Sequence, residues 1–295
     1  MKFYGLTKKE ALSRASKYGV KVMLTQYQPK TKLSEKHQIL TAPLMLAPAR
    51  SAYKTLKKIG LTIDPKIFIN FCKYATPACI FLCLGPNSGR GRMNLAKIAR
   101  ARKSWFYCAD PQAFKSLLCH ELRSHETKAA RKGYKPAARI DTVSDQGLAI
   151  ELSKVFPGIM FYDYTASIDR VKYWVNNRSG LKNYYLTFSA KEHLKNWAQC
   201  IEALDLGVNV AMCVNHEKDD LPRSIKGYLT YNADDHDYRP IDPTNGKIGM
   251  IGILKPKGGK AKHDVLGFTR QHSKAALFYD MLKTSPKIKR LAIVG

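Results

Sequence analysis

Between residues 137 and 214 the chain repeats one pattern, and that pattern constrains the fold more than anything else in the sequence. An apolar, β-type run ends in small polar residues, and a helical stretch follows. Ala138-Arg139-Ile140-Asp141-Thr142-Val143 ends at Ser144 and Asp145, and Gly158-Ile159-Met160-Phe161-Tyr162 ends at Asp163, Tyr164 and Thr165. Tyr184-Tyr185-Leu186-Thr187-Phe188 ends at Ser189, and Val208 to Val214 ends at Asn215 and His216. Strands alternating with helices every roughly 20 to 30 residues predict right-handed βαβ units around a parallel sheet. Such sheets place their chemistry at the carboxyl ends of the strands, so Ser144, Asp145, Asp163, Thr165 and Ser189 are the candidate catalytic and pocket-lining residues. The same residue types also cap helices, and Ser189 with Glu192 reads as an S-x-x-E capping box for a helix through Leu194, Trp197, Ile201 and Leu204.

Charge narrows the partners. Among 295 residues, Lys and Arg number 50 and Asp and Glu 23, a formal net charge of +27. Self-repulsion on that scale opposes compaction unless a polyanion neutralises it, which makes nucleic acid the leading partner. No apolar run approaches the roughly 18 residues of a membrane span, and no lipidation motif stands out, so no membrane partner is expected. The N-terminus lacks the apolar centre of a signal peptide, which points to a reducing, cytoplasmic compartment. There the seven cysteines are expected as thiols or ligands rather than a disulfide framework.

Cys72, Cys79 and Cys83 fall close together, spaced C-x6-C-x3-C. Three thiolates at this distance can hold an iron–sulfur cluster; with Cys108, Cys119 or His120 they could hold zinc; as a third reading they are inert buried thiols. A basic stretch follows at once, with Arg90, Arg92, Lys97, Arg100 and Arg102, and its loop Gly85 to Arg92 suits close approach to a phosphate backbone. Lys97 and Arg100 are expected on the wet face of a helix over Met93 to Lys103. Near the C-terminus Lys255 and Lys257 are further candidate phosphate contacts. Asp234, Asp235, Asp237 and Asp242 offer either a divalent-metal site for phosphodiester cleavage or a turn-rich loop paired to Arg239.

Elsewhere the signals are structural. Thr7 and Glu10 make a capping box, Asp110-Pro111 opens a helix with Phe114, Leu117, Leu118 and Leu122 on its apolar stripe, and Leu44 to Ala47 is the expected first buried strand. Residues 1–50 read as a basic N-terminal extension, 51–225 as an α/β barrel-like core, and 226–295 as C-terminal strands and a basic tail completing the same domain.

The cysteine stretch with Gly85, then Arg139 to Asp145, then Phe161 to Thr165, then Leu186 to Ser189, taken in that order, resembles the phage proteins of the gene-product-88-like family over roughly residues 70 to 270. More distantly the series resembles radical-SAM-type phage proteins. The resemblance implies a partial (β/α) barrel with a [4Fe-4S] cluster on Cys72, Cys79 and Cys83, and S-adenosylmethionine at the open iron beside Ser144 and Asp145. The spacing departs from the C-x3-C-x2-C of the radical enzymes, and Leu84 stands where they carry an aromatic residue. Three functions follow as expectations: an iron–sulfur, radical-SAM-like protein acting on or bound to nucleic acid in the infected host's cytosol; a non-enzymatic nucleic-acid-binding or host-interaction protein; and a metal-dependent nuclease using Asp237 and Asp242.

Overall fold

The structure, a computed structural model, describes residues 1–25, 29–48, 51–87, 89–216 and 220–271. Its strands are β1 (Ile39–Pro43), β2 (Lys135–Arg139), β3 (Met160–Thr165), β4 (Tyr184–Ser189), β5 (Val210–Asn215), β6 (Ser224–Ile225), β7 (Tyr228–Asn232), β8 (Ile251–Leu254) and β9 (Arg270–Gln271). The principal helices are α1 (Lys8–Ser16), α2 (Ser51–Lys58), α3 (Pro77–Phe81), α4 (Asn94–Ala109), α5 (Pro111–Arg131), α6 (Leu148–Val155), α7 (Ile168–Asn176) and α8 (Leu194–Asp205).

The strands form a mostly parallel sheet in the order β1-β2-β3-β4-β5-β8-β7-β6, with β9 continuing beside the end of β5. Only β6 and β7 run antiparallel among the named strands. The sequential neighbours β1 to β5 are wound as in a (β/α) barrel, with α6, α7 and α8 as the crossovers between β2 and β5. The pairing leaves the sheet open, however: among the described residues no ladder joins β1 to β6 or β7. The fold is therefore mixed α/β with an open sheet, and a closed barrel is not seen.

The two faces of the sheet differ. Parallel partners share a face, so Phe161 lies beside Tyr184, Thr165 beside Phe188, and Val210 beside Ile251. This face, with Ala138, Leu186 and Ile253, packs into one core with Phe114, Leu117 and Leu122 of α5, Trp174 of α7 and Leu204 of α8. On the other face Ile39, Ala137 and Tyr162 pack under Tyr238, from the segment after β7.

The N-terminal region is part of this core. The Thr7–Glu10 capping box forms as expected, and Ala11 and Ala15 of α1 are buried in the main cluster. Asp110 caps α5 by accepting from the Ala113 N–H at 3.1 Å and pairs with Arg14 at 2.5 Å. Residues expected as an extension thus supply α1 and β1. The first strand lies before Leu44–Ala47, because Pro43 reaches the end of the register opposite Arg139; Leu44 then donates a last bond to the Arg139 carbonyl at 2.9 Å. Likewise β2 ends at Arg139, before the expected Val143, where Asp141 turns the chain back on itself.

Candidate functional site

Four of the five polar strand-end candidates come together on the helix-covered side. The Asp163 carboxylate accepts from the Asp141 N–H at 2.8 Å, and Asp141 accepts from Ser144 Oγ at 2.7 Å. Asp141 also receives the Gln146 and Gly147 N–H groups, at 2.9 and 2.6 Å. Gly147, at φ +79°, supplies the left-handed turn that aims both donors. Arg170 of α7 closes the group with Nη1 2.8 Å from Asp145, whose other oxygen accepts from the Ala166 N–H at 3.0 Å. Thr165 Oγ1 accepts from the Ser167 N–H at 3.0 Å. Ser144, Asp145, Asp163 and Thr165 therefore hold turns and helix starts together, and all but Asp145 are buried. Burial, reinforced by the Asp141 charge, holds the Asp163 carboxyl well above the usual range. Ser189 stands apart: its carbonyl accepts from Asn196 Nδ2 at 3.4 Å.

The cysteine segment lies across the carboxyl ends of β2 and β4. The Asp145 N–H donates to the Phe71 carbonyl at 2.9 Å, and Cys72 Sγ lies 3.6 Å from the Val143 carbonyl. Thr76 caps α3 by accepting from the Cys79 N–H at 3.3 Å. Glu192 then accepts from Thr76 Oγ1 at 2.7 Å and from the Ala78 N–H at 3.0 Å. The expected Ser189–Glu192 capping box is thus replaced: Glu192 serves the start of α3, where backbone N–H groups attract a carboxylate, and His193 precedes α8 without a side-chain cap. The adjoining Lys191 places Nζ 3.3 Å from Cys79 Sγ. Burial pushes the Cys83 thiol up, with the neighbouring Cys79 adding to the rise against a bond from Gly85. The three thiols share one segment but face different partners, and among the described residues no group of three or more His, Cys, Asp or Glu side chains is arranged as a metal site.

The basic candidates divide. Arg100, expected on a wet face, is 5% exposed and donates to the Gly91 carbonyl at 2.9 Å, so it braces the Gly-Arg loop from inside. Lys103 is buried too; its Nζ donates to the Met23 carbonyl at 2.6 Å, and burial brings its ammonium down to about 8. The Arg102 guanidinium lies against Gly19, where a Cβ would meet it at 2.8 Å. Lys97 is half-buried and Arg92 exposed, while the Arg90 side chain lies outside the described residues. Lys257 pairs with Asp234 at 3.0 Å, and the Lys255 N–H donates to the same carboxylate at 2.7 Å.

Lys260, unremarked in the sequence, joins the two basic segments. Its Nζ lies 4.7 Å over the ring of Phe81, and Gly258 is so near the Asn87 carbonyl that a Cβ there would sit 3.4 Å away. The signal that finds this junction is an absence of acids. Neither the stretch between Asp64 and Asp110 nor that between Asp242 and Asp264 contains any Asp or Glu, and the fold brings the two together.

Of the acidic candidates, Asp237 and Asp242 are each engaged by an arginine on the opposite face of the sheet. Asp237, fully buried, accepts from Arg139 Nη1 at 2.9 and 3.1 Å and from Tyr162 Oη at 3.1 Å. Asp242 accepts from Tyr231 Oη at 2.6 Å and lies 3.3 Å from Arg239 Nη1. Burial pushes its carboxyl up to about 6, against the pull of Arg239 and Tyr231. Asp234 is paired as above, and Asp235 accepts from Asn232 Nδ2 at 2.6 Å. Asp242 thus pairs with Arg239, as the turn-rich-loop reading expects, while Asp237 takes Arg139 and Asp234 takes Lys257.

Fold and site together define an open-sheet α/β protein with a basic, cysteine-bearing edge at its strand ends. Residues 23–276 match the family model described as Gene product 88, and the chain belongs to that family of phage proteins. No curated protein and no solved structure matches it, so the radical-SAM likeness stays an expectation. No helix among the described residues is long and apolar enough to cross a membrane.

Proposed function

We propose that this protein binds nucleic acid in the infected cell, gripping phosphates along the edge formed by residues 71–92 and 255–262. The observation that carries the reading is the junction at Phe81 and Lys260, which unites two acid-free basic segments beside the carboxyl ends of the strands. Binding through ammonium and guanidinium groups releases counterions from the polyanion. Affinity for a labelled DNA duplex or strand therefore falls by orders of magnitude between about 50 and 200 mM salt. The pair Lys257→Glu and Lys260→Glu weakens binding at least tenfold and flattens the salt slope by about two contacts. Affinity that ignores salt, or the double variant, sinks the proposal.

A second reading makes the same segment a cofactor site, with a [4Fe-4S] cluster on Cys72, Cys79 and Cys83 and S-adenosylmethionine beside it. What favours it is that Cys79 lies close enough to Cys83 for its charge to push the Cys83 thiol further up. Against it, Cys72 and Cys79 are turned to Val143 and Lys191, while Ser144 and Asp145 are committed to Asp141, Arg170 and Ala166. Such a cluster supplies one-electron chemistry. Anaerobically purified protein then contains iron and absorbs near 400 nm, and Cys79→Ala loses both; a colourless, iron-free preparation excludes it.

A further inference from the structure

We infer that the nucleic acid held at this edge is single-stranded, with one base stacked on the ring of Phe81. The inference rests on the nucleic-acid reading above and adds the form of the ligand.

Phe81 is 51% exposed at the end of α3, between Ile80 at 54% and Leu84 at 49%. A little further on, Met93 and Leu95 are exposed at 56% and 76%. Large apolar side chains left in water in close sequence mark a surface that something covers. The chemistry of the surroundings selects the occupant. A half-exposed aromatic ring with the Lys260 ammonium over it, on a stretch of chain without acids, is the combination that holds an unpaired strand: the ring takes a base face and the cation takes a flanking phosphate. A duplex keeps its base faces stacked on one another, so it can use the lysines but not the ring. A second copy of this chain is a poor occupant, because it brings an equally basic face to a molecule already at +27.

The platform is also fixed in place. Glu192 ties Thr76 and Ala78 to the end of β4, Thr76 caps the Cys79 N–H, and Leu82 and Ala78 are buried beneath. Phe81 therefore points outward from an anchored turn. Lys260, now 4.7 Å over the ring, is placed to shift from the aromatic face to a phosphate when a base arrives.

The test compares single and double strands on the full-length protein at one salt concentration, by fluorescence anisotropy. The probes are labelled oligo-dT, its oligo-rU counterpart and a DNA duplex. Phe81→Ala is expected to weaken strand binding by about tenfold or more and to change duplex binding less than about twofold. Phe81→Trp keeps strand affinity and shows that the alanine loss comes from stacking. Whether dT, rU or both lose affinity tells DNA from RNA. Equal losses on strand and duplex, or no loss on either strand, overturn the single-strand inference and leave nucleic-acid binding standing. Failure of the unmodified protein to bind any probe overturns both. Sedimentation of the same samples covers the remaining occupant: a dimer that Phe81→Ala converts to monomer replaces the strand with a second copy.

Discussion

On the helix-covered face of the sheet, Leu186 and Phe188 are fully buried among Trp174, Leu204 and Val210, and what holds them is removal of apolar surface from water. On the other face the neighbouring strands β2 and β3 present Arg139, Tyr162 and Tyr164, with Asp237, Arg239 and Asp242 brought over them from the segment after β7. There the Arg139 guanidinium lies 4.4 Å over the Tyr164 ring, and Arg239, 1% exposed, donates to the Ala233 and His236 carbonyls. One face tolerates a lost contact in proportion to the volume removed. The other is a set of paired charges in which each partner is needed to keep the next from being stranded.

Single substitutions distinguish the two. Asp237→Ala leaves Arg139 buried without its carboxylate and is expected to cost about 3–5 kcal/mol in urea unfolding. Leu186→Ala costs about 2–5 kcal/mol by the cavity it opens. The sharper contrast lies in rescue. Adding Arg139→Met to Asp237→Ala removes the stranded charge and recovers much of the loss, whereas no second truncation recovers Leu186→Ala. Simple additivity of the Asp237 and Arg139 changes breaks the comparison.

A smaller effect lies in pH. The Asp242 carboxyl titrates near 6 in the fold and near 4 in the unfolded chain. Between those values the folded state binds more protons, so this group's contribution to stability falls as pH rises through that window and is constant above it. The stability gap between the native protein and Asp242→Asn is therefore expected to shrink, by about 3 kcal/mol at most, from pH 4 to pH 6. A gap that widens over this range refutes the raised carboxyl.

The smallest effect concerns the edge rather than the faces. Glu192→Gln keeps the shape but loses the charge at the start of α3, costing about 1 kcal/mol. Amide exchange then quickens over residues 76–82 while the strands keep their protection. Uniform exchange across the chain contradicts the anchoring role.

Sequence pattern revealed the βαβ rhythm because apolar burial on the helix side enforces it: Phe161, Leu186 and Val210 had to be apolar to fill that core. The end of each strand was harder to read. Asp141 and Pro43 stop β2 and β1 through long-range bonds and register that no local pattern carries. β6 and β7 carry little local signal, because both are short and neither holds a fully buried residue. At the edge, the thiols and arginines were visible as types, but Arg100 and Lys103 are buried by contacts with Gly91 and Met23. The S-x-x-E pattern with Ser189 points Glu192 at the following helix, but that helix starts only at Leu194, and the fold instead brings Glu192 to Thr76 and Ala78. Lys260 and Phe81 lie far apart in the chain; both stretches lack acids, but only the fold shows that they meet.

The place of β8 has a consequence for how the chain is made. It is the eighth strand in the chain, yet it pairs between β5 and β7, both of which leave the ribosome earlier. Until Leu254 has been synthesised, β5 offers its outer edge with no strand to meet it, and the β6–β7 hairpin has no ladder into the sheet. β8 must then slide into a narrow gap, and Gly252 lets it: a Cβ there would meet the Tyr231 ring at 2.7 Å and the Ala233 Cβ at 3.1 Å. Residues 224–262 thus work as a latch. Arg239, Asp242 and the Lys255–Lys262 loop, all carried on strands or loops that β8 secures, reach their places together, so the sheet's charged face and its basic edge are completed in one late event.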